Sequence, residues 1–218
     1  MSNINECDIM WGMSTNEQFG SSKKRKTEKS GKETINDILI YTVGENEIHF
    51  AAGINKVTIE LLIKEFSDVI AKFYKSNDED DEFTITYVVD SPGGSVTSVL
   101  KFIDFLGITK AKYKNIKFIS IISGLAASAG TVMSVVADKR YMTKNASAMI
   151  HELSSGNMGR FTQLISYTKY LQQLHDSLVN AYLPKCKLAK DELEGLLKND
   201  TWYTPEDYLA HGFIDEIK

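Results

Sequence analysis

The stretch Phe83-Thr84-Ile85-Thr86-Tyr87-Val88-Val89-Asp90-Ser91-Pro92-Gly93-Gly94-Ser95, with Val96, Val99, Leu100 and Ile103 after it, decides the fold. Every residue from Phe83 to Val89 is β-branched or aromatic, which predicts a strand. Asp90 to Ser95 then carries the proline and glycines of a turn, and the apolar residues beyond it fall at helical spacing. A second unit repeats the order: a strand over 116–122, a turn at Gly124 and a helix from about Ser128. Strand, turn and helix in alternation predict parallel βαβ units, which place ligands at the carboxyl ends of the strands. Both glycine-containing turns sit at such ends.

Working outward, residues 48–52 read as a short strand closed by Gly53. Ile59, Leu62, Ile63, Phe66, Ile70 and Phe73 form the apolar stripe of an amphipathic helix, and an acidic loop over 77–82 follows it. Residues 139–142 and 146–150 read as short strands. A long helix is expected over 160–183, ended by Pro184, and a shorter one over 190–198. The segment 202–217 holds a last helical turn. Residues 1–36 are polar and lack periodicity, and are expected to be a tail ahead of one domain over 37–218.

The bulk properties are those of an ordinary globular chain. Of 218 residues, 43% are hydrophobic and 25% charged, and 25 basic residues against 29 acidic ones give a net charge of −4. That balance gives no pull toward nucleic acid or anionic lipid. The one basic run, Lys23 to Lys26, reads as a solvated face of the tail. Cys7 and Cys186 form no CxxC, so neither a disulfide framework nor a metal site is expected. Polar residues from Asn3 to Asp8 interrupt any apolar leader, and a cytoplasmic protein is expected. The uncharged run 118–137 is long enough to span a bilayer, yet its five Ser and Thr residues and two glycines favour a buried strand, turn and helix.

Ser128 stands between Ala126-Ala127 and Ala129-Gly130, at the junction of strand and helix. It reads equally as an activated nucleophile and as a helix N-cap. The G-x-S-x-G elbow is not matched, because Ala126 occupies its first glycine position. Gly93-Gly94 reads as a tight turn or as half of an oxyanion hole, since a diglycine presents N–H groups unobstructed by side chains. No G-x-G-x-x-G and no Walker lysine accompany it, which argues against nucleotide. Among four histidines, His49, His175 and His211 have structural explanations, whereas His151 ends a predicted strand and emerges at the sheet edge.

Taken together these segments resemble one family. Gly124-Leu125-Ala126-Ala127-Ser128-Ala129-Gly130 is similar to the nucleophile motif of the Clp protease proteolytic subunits. Asn145 to His151 resembles their histidine segment, Asp90 to Gly94 their oxyanion loop, and Asp200-Thr201-Trp202-Tyr203-Thr204 their aspartate segment. The order matches, and the resemblance covers about residues 36–218. It implies an α/β fold of the Clp/crotonase type, with repeated ββα units and a protruding handle helix.

It also implies a serine endopeptidase with Ser128 as nucleophile, His151 as base and Asp200 as the residue orienting the histidine. Gly94 and Ala129 would donate to the oxyanion; Gly93, Ser95, Val96, Glu152 and Leu153 would line the extended substrate. Implied partners are unfolded polypeptides, further copies in two stacked heptamers, and a hexameric AAA+ unfoldase; no cofactor or metal is implied. Glu152-Leu153 departs from the family's Gln-Pro, the acidic loop is expanded, and the N-terminus does not resemble the family's axial segment. Other readings on the same scaffold are a phage-type head-maturation protease, a signal-peptide-peptidase-like protease and a crotonase-like acyl-CoA enzyme. A reading from another class is a non-catalytic ring subunit.

Overall fold

A computed structural model describes residues 10–11 and 39–218. The tail expected over 1–36 lies outside the described residues, apart from Met10–Trp11. The elements in chain order are β1 (Met10–Trp11), β2 (Leu39–Val43), β3 (Glu47–Ala51), α1 (Lys56–Tyr74), β4 (Phe83–Ser91), β5 (Gly94–Ser95) and α2 (Val96–Lys112). They continue with β6 (Ile116–Ala127), α3 (Ala129–Val135), β7 (Lys139–Met142), β8 (Ser147–Ile150), α4 (Phe161–Tyr182), α5 (Lys190–Leu197), β9 (Thr201–Tyr203), α6 (Pro205–Ala210) and β10 (Glu216–Ile217). This is the expected α/β architecture.

The main sheet runs β10-β7-β6-β4-β3-β2, with β8 and β9 branching from β6. β3, β4, β6 and β7 are mutually parallel, as the strand–helix alternation requires. The period-2 pattern in β4 buries Phe83, Ile85, Tyr87, Val89 and Ser91 on one face. Helices α1 and α2 cover that face. Phe66 of α1 meets the rings of Tyr87, Phe102 and Phe118 with centroids 5.4 to 5.9 Å apart, so helix stripe and strand face form one aromatic core. Local signals set the helix starts. Asn55 and Thr58 form a reciprocal capping box on α1, and Ser95 Oγ accepts from Ser98 N to cap α2.

The second unit departs from the sequence reading at Gly124. The strand does not turn there but continues to Ala127. The register against β4 slips between Val89↔Ile122 and Ser91↔Ala126, so β6 carries two extra residues, a bulge around Ser123–Gly124. Gly124 has φ +95, and a Cβ on it would lie 2.9 Å from Asp90 Oδ1, the carboxylate that accepts from Leu125 N. The bulge re-aims the strand: β6 pairs β7 over 119–122 and β8 over 125–127. Its far end therefore reaches the β8–β9 branch.

The uncharged run 118–137 is divided between β6 and α3, and every residue of α3 is buried. No helix among the described residues is long and apolar enough to cross a membrane. The long helix α4 is buried only from Leu174 onward; Phe161 is 76% exposed and its first three turns stand off the body. Five short strands among the described residues had no counterpart in the sequence reading: β1, β2, β5, β9 and β10. The last of these is fixed by Arg140, whose guanidinium binds the Asp215 carboxylate at 2.6 Å and donates to the Gly212 carbonyl at 3.0 Å.

Candidate active site

The branch of the sheet assembles the site. Parallel pairing sets Ala127 of β6 beside Met149 of β8, and Ser128 N donates to the Met149 carbonyl at 2.7 Å. Ser128 and His151 thus leave adjacent strand ends. On the other side β9 runs antiparallel to β8 with Ile150 opposite Thr201, so one further step sets His151 opposite Asp200. His151 Nδ1 and Asp200 Oδ1 are 3.0 Å apart. A carboxylate only accepts, so in a neutral ring the proton sits on Nδ1 and the lone pair on Nε2. The His151 side chain is buried while that of Asp200 is 67% exposed. Water screens such a pair, so the charge interaction between the two groups is weak and the hydrogen bond mainly fixes the orientation of the ring.

Ser128 has φ +58 and ψ −125, the only positive φ among the described non-glycine residues. A serine held there costs roughly 1–3 kcal/mol, and strained residues of this kind cluster at functional sites. The N-cap reading is answered: Ser128 precedes α3, but its side chain makes no capping hydrogen bond to the helix.

The diglycine turn packs directly on this elbow. A Cβ on Gly93, at φ +93, would come within 2.7 Å of Ser128 Cβ and 2.6 Å of the Ala127 carbonyl oxygen. One on Gly94, at φ +142, would lie 2.2 Å from the Ile54 carbonyl oxygen. Backbone bonds lock the turn: Ile54 N donates to the Gly93 carbonyl and Ser95 N to that of Ile54, both at 2.7 Å. Ser91 Oγ donates to the Ala52 carbonyl and accepts from Gly93 N at 3.1 Å. Gly93 N is thereby engaged inside the turn, and the next amide along the chain, that of Gly94, faces the edge where β1 lies. Ser91 and Ile54 were not singled out in the sequence; Ser91 lies inside the turn motif, while nothing in the sequence marks Ile54.

The edge beyond the turn takes a strand. β1 pairs antiparallel with β5, Met10 opposite Ser95 and Trp11 opposite Gly94. Of the residues expected along the substrate, Ser95 lies in this extended backbone, whereas Val96 already opens α2 and is fully buried. Glu152 is exposed and Leu153 packs against the core, both in the stretch without regular structure between β8 and α4. Among the described residues no group of three or more His, Cys, Asp or Glu side chains could hold a metal.

A family model described as Clp protease matches residues 32–218. Similar curated proteins include the ATP-dependent Clp protease proteolytic subunits of Streptococcus gordonii and Streptococcus pneumoniae. Each is 30% identical over 155 residues, which is 69% of this chain and 76% of the relative.

Proposed function

This chain belongs to the Clp protease family, and from that membership we propose that it is a serine endopeptidase working through Ser128, His151 and Asp200. The observation that carries the reading is the β6-β8-β9 branch, which gathers the strand ends bearing all three. The strained Ser128 elbow supports it further.

In this reading Ser128 Oγ attacks the scissile carbonyl while its proton passes to His151 Nε2. The tetrahedral oxyanion accepts from the Gly94 and Ala129 amides, where loss of one donor costs ~3–4 kcal/mol of transition-state stabilisation. Collapse breaks the C–N bond, and the leaving amine takes the proton back from His151. A water, deprotonated by His151, then hydrolyses the acyl-enzyme. Asp200 keeps the proton on Nδ1 throughout. The polypeptide lies extended along Gly94–Ser95; an edge already able to hold β1 is suited to a substrate strand.

We extend the proposal to assembly. The exposed apolar side chains of Met158 and Phe161, at 96% and 76%, call for a covering surface, and a second copy of α4 in two stacked heptamers would supply it. The relatives are named as ATP-dependent, so an ATPase partner that feeds unfolded polypeptide belongs to the same proposal.

Hydrolysis of an unstructured fluorogenic peptide tests the reading. The full chain should turn it over, and Ser128→Ala should lose at least ~10³-fold in kcat/KM while keeping its fold. Equal turnover by Ser128→Ala would refute it.

A further inference from the structure

Behind the elbow lies a buried chain of hydroxyls that the reaction above does not use. Thr131 sits in the first turn of α3, and Tyr182 is the last residue of α4. Thr131 Oγ1 lies 2.5 Å from the Ser128 carbonyl oxygen and 2.5 Å from the Tyr182 hydroxyl. All three residues are buried.

The direction of the bonds follows from chemistry. A carbonyl oxygen only accepts, so the single hydroxyl proton of Thr131 goes to Ser128. Tyr182 must therefore donate to Thr131 Oγ1. Burial pushes the Tyr182 phenol well above its ordinary range, outweighing the opposing effect of the Thr131 bond, so it keeps the proton it donates. The Thr131 backbone N–H also donates to the same Ser128 carbonyl, at 3.0 Å. Two donors from one residue thus hold one oxygen.

That oxygen matters because of the peptide unit it belongs to. The Ser128 carbonyl and the Ala129 N–H share a rigid trans plane and point in opposite directions. Fixing the oxygen fixes the direction of the Ala129 N–H, one of the two amides that would face the oxyanion. It also fixes Ser128 ψ at −125, in a region a serine leaves unless its surroundings hold it there.

We propose that Thr131 and Tyr182 are positioning residues for the reaction: a Tyr182→Thr131→Ser128 hydroxyl chain sets the plane of the 128–129 peptide and so aims both the nucleophile and an oxyanion donor. The kinetic part of this inference rests on the peptidase reading.

Thr131→Val keeps the side-chain shape and removes the hydroxyl. Because it tilts a donor rather than deleting one, kcat falls roughly 10- to 100-fold, below the usual loss for a missing oxyanion donor. KM stays within about threefold, because the substrate strand does not touch Thr131. Affinity for a peptide boronate, which mimics the tetrahedral state, falls in parallel with kcat/KM. Thr131→Ser restores both, and Tyr182→Phe, which leaves the Thr131–Ser128 bond in place, loses only about three- to tenfold. A Thr131→Val protein with a lower melting temperature but unchanged kcat and boronate affinity overturns the proposal, since that is a purely structural residue. A crystal structure of Thr131→Val reads the positioning without turnover: a rotated 128–129 peptide supports it and an unchanged plane overturns it. Should Ser128→Ala cleave peptide as well as the unaltered chain does, the peptidase reading fails, and that crystal structure alone decides the role of Thr131.

Discussion

Gly93→Ala is the sharpest perturbation of the elbow. The added methyl would stand 2.7 Å from Ser128 Cβ, 2.6 Å from the Ala127 carbonyl oxygen and 3.1 Å from Ala129 N. Two of these three neighbours are backbone, so no side-chain rotation relieves them. Ordinary contact begins at 3.4 Å, so turn and elbow must separate by about 0.7 Å or more, a shift able to cost on the order of 100-fold in rate. The φ of +93 adds about 1–2 kcal/mol for a residue with a Cβ, and overpacking a filled site adds roughly 1–3 kcal/mol. The expected result is a melting temperature lower by roughly 5–15 °C for a chain of this size. Peptide hydrolysis should fall by at least ~100-fold in the fraction that remains folded. Calorimetry and steady-state kinetics on one preparation separate the two effects. A Gly93→Ala protein with unaltered melting and turnover would refute the claim that the diglycine turn braces the nucleophile.

Three further outcomes are expected. His151→Ala and Asp200→Asn should retain native circular dichroism yet lose on the order of 10³- to 10⁴-fold in kcat; collapse of the fold in both would assign them structural roles instead. Burial alone would raise the Asp215 carboxyl, but the hydrogen bonds and charge of Arg140 outweigh it and hold it below the usual range. A depressed folded pKa means that its stabilisation is complete above the unfolded value of about 3.9 and is lost as pH falls through the folded one. Asp215→Asn, which strands a buried guanidinium, should therefore cost about 2–4 kcal/mol in urea unfolding at pH 7 and progressively less as the pH falls below about 3.9; a cost that does not decline with acidification would contradict the ion-pair account. Phe161→Asp, on the exposed part of α4, should leave the protomer folded and lower the assembly mass in analytical ultracentrifugation; an unchanged mass would remove α4 from the proposed interface.

Much of the fold was legible because its signals are local. The run Phe83–Val89 declares β4 by composition, and the 96-99-100-103 stripe declares α2 by period. The diglycine between them could be seen as a turn from its own residues. What escaped was set by distant partners. Gly124 reads as a turn in one dimension, but it is a bulge because Asp90, 34 residues earlier, puts its carboxylate where a side chain would go. β9 is three residues long, too short for a period to appear, and exists because β8 offers it a ladder. His151 and Asp200 share no local pattern; His151 stood out only as the end of a predicted strand, Asp200 came from resemblance alone, and antiparallel register is what sets them 3.0 Å apart. The Tyr182–Thr131 contact spans 51 residues and had no sequence signal at all.

The account turns on a single oxygen, the Ser128 hydroxyl, being the reactive group of the chain. Incubating the folded protein with a fluorophosphonate and mapping the adduct by peptide mass spectrometry tests this most directly. The account predicts one phosphonyl group per chain, on the peptide containing Ser128, and its loss in His151→Ala. An adduct on another residue, or an undiminished yield of the Ser128 adduct without the histidine, would contradict it.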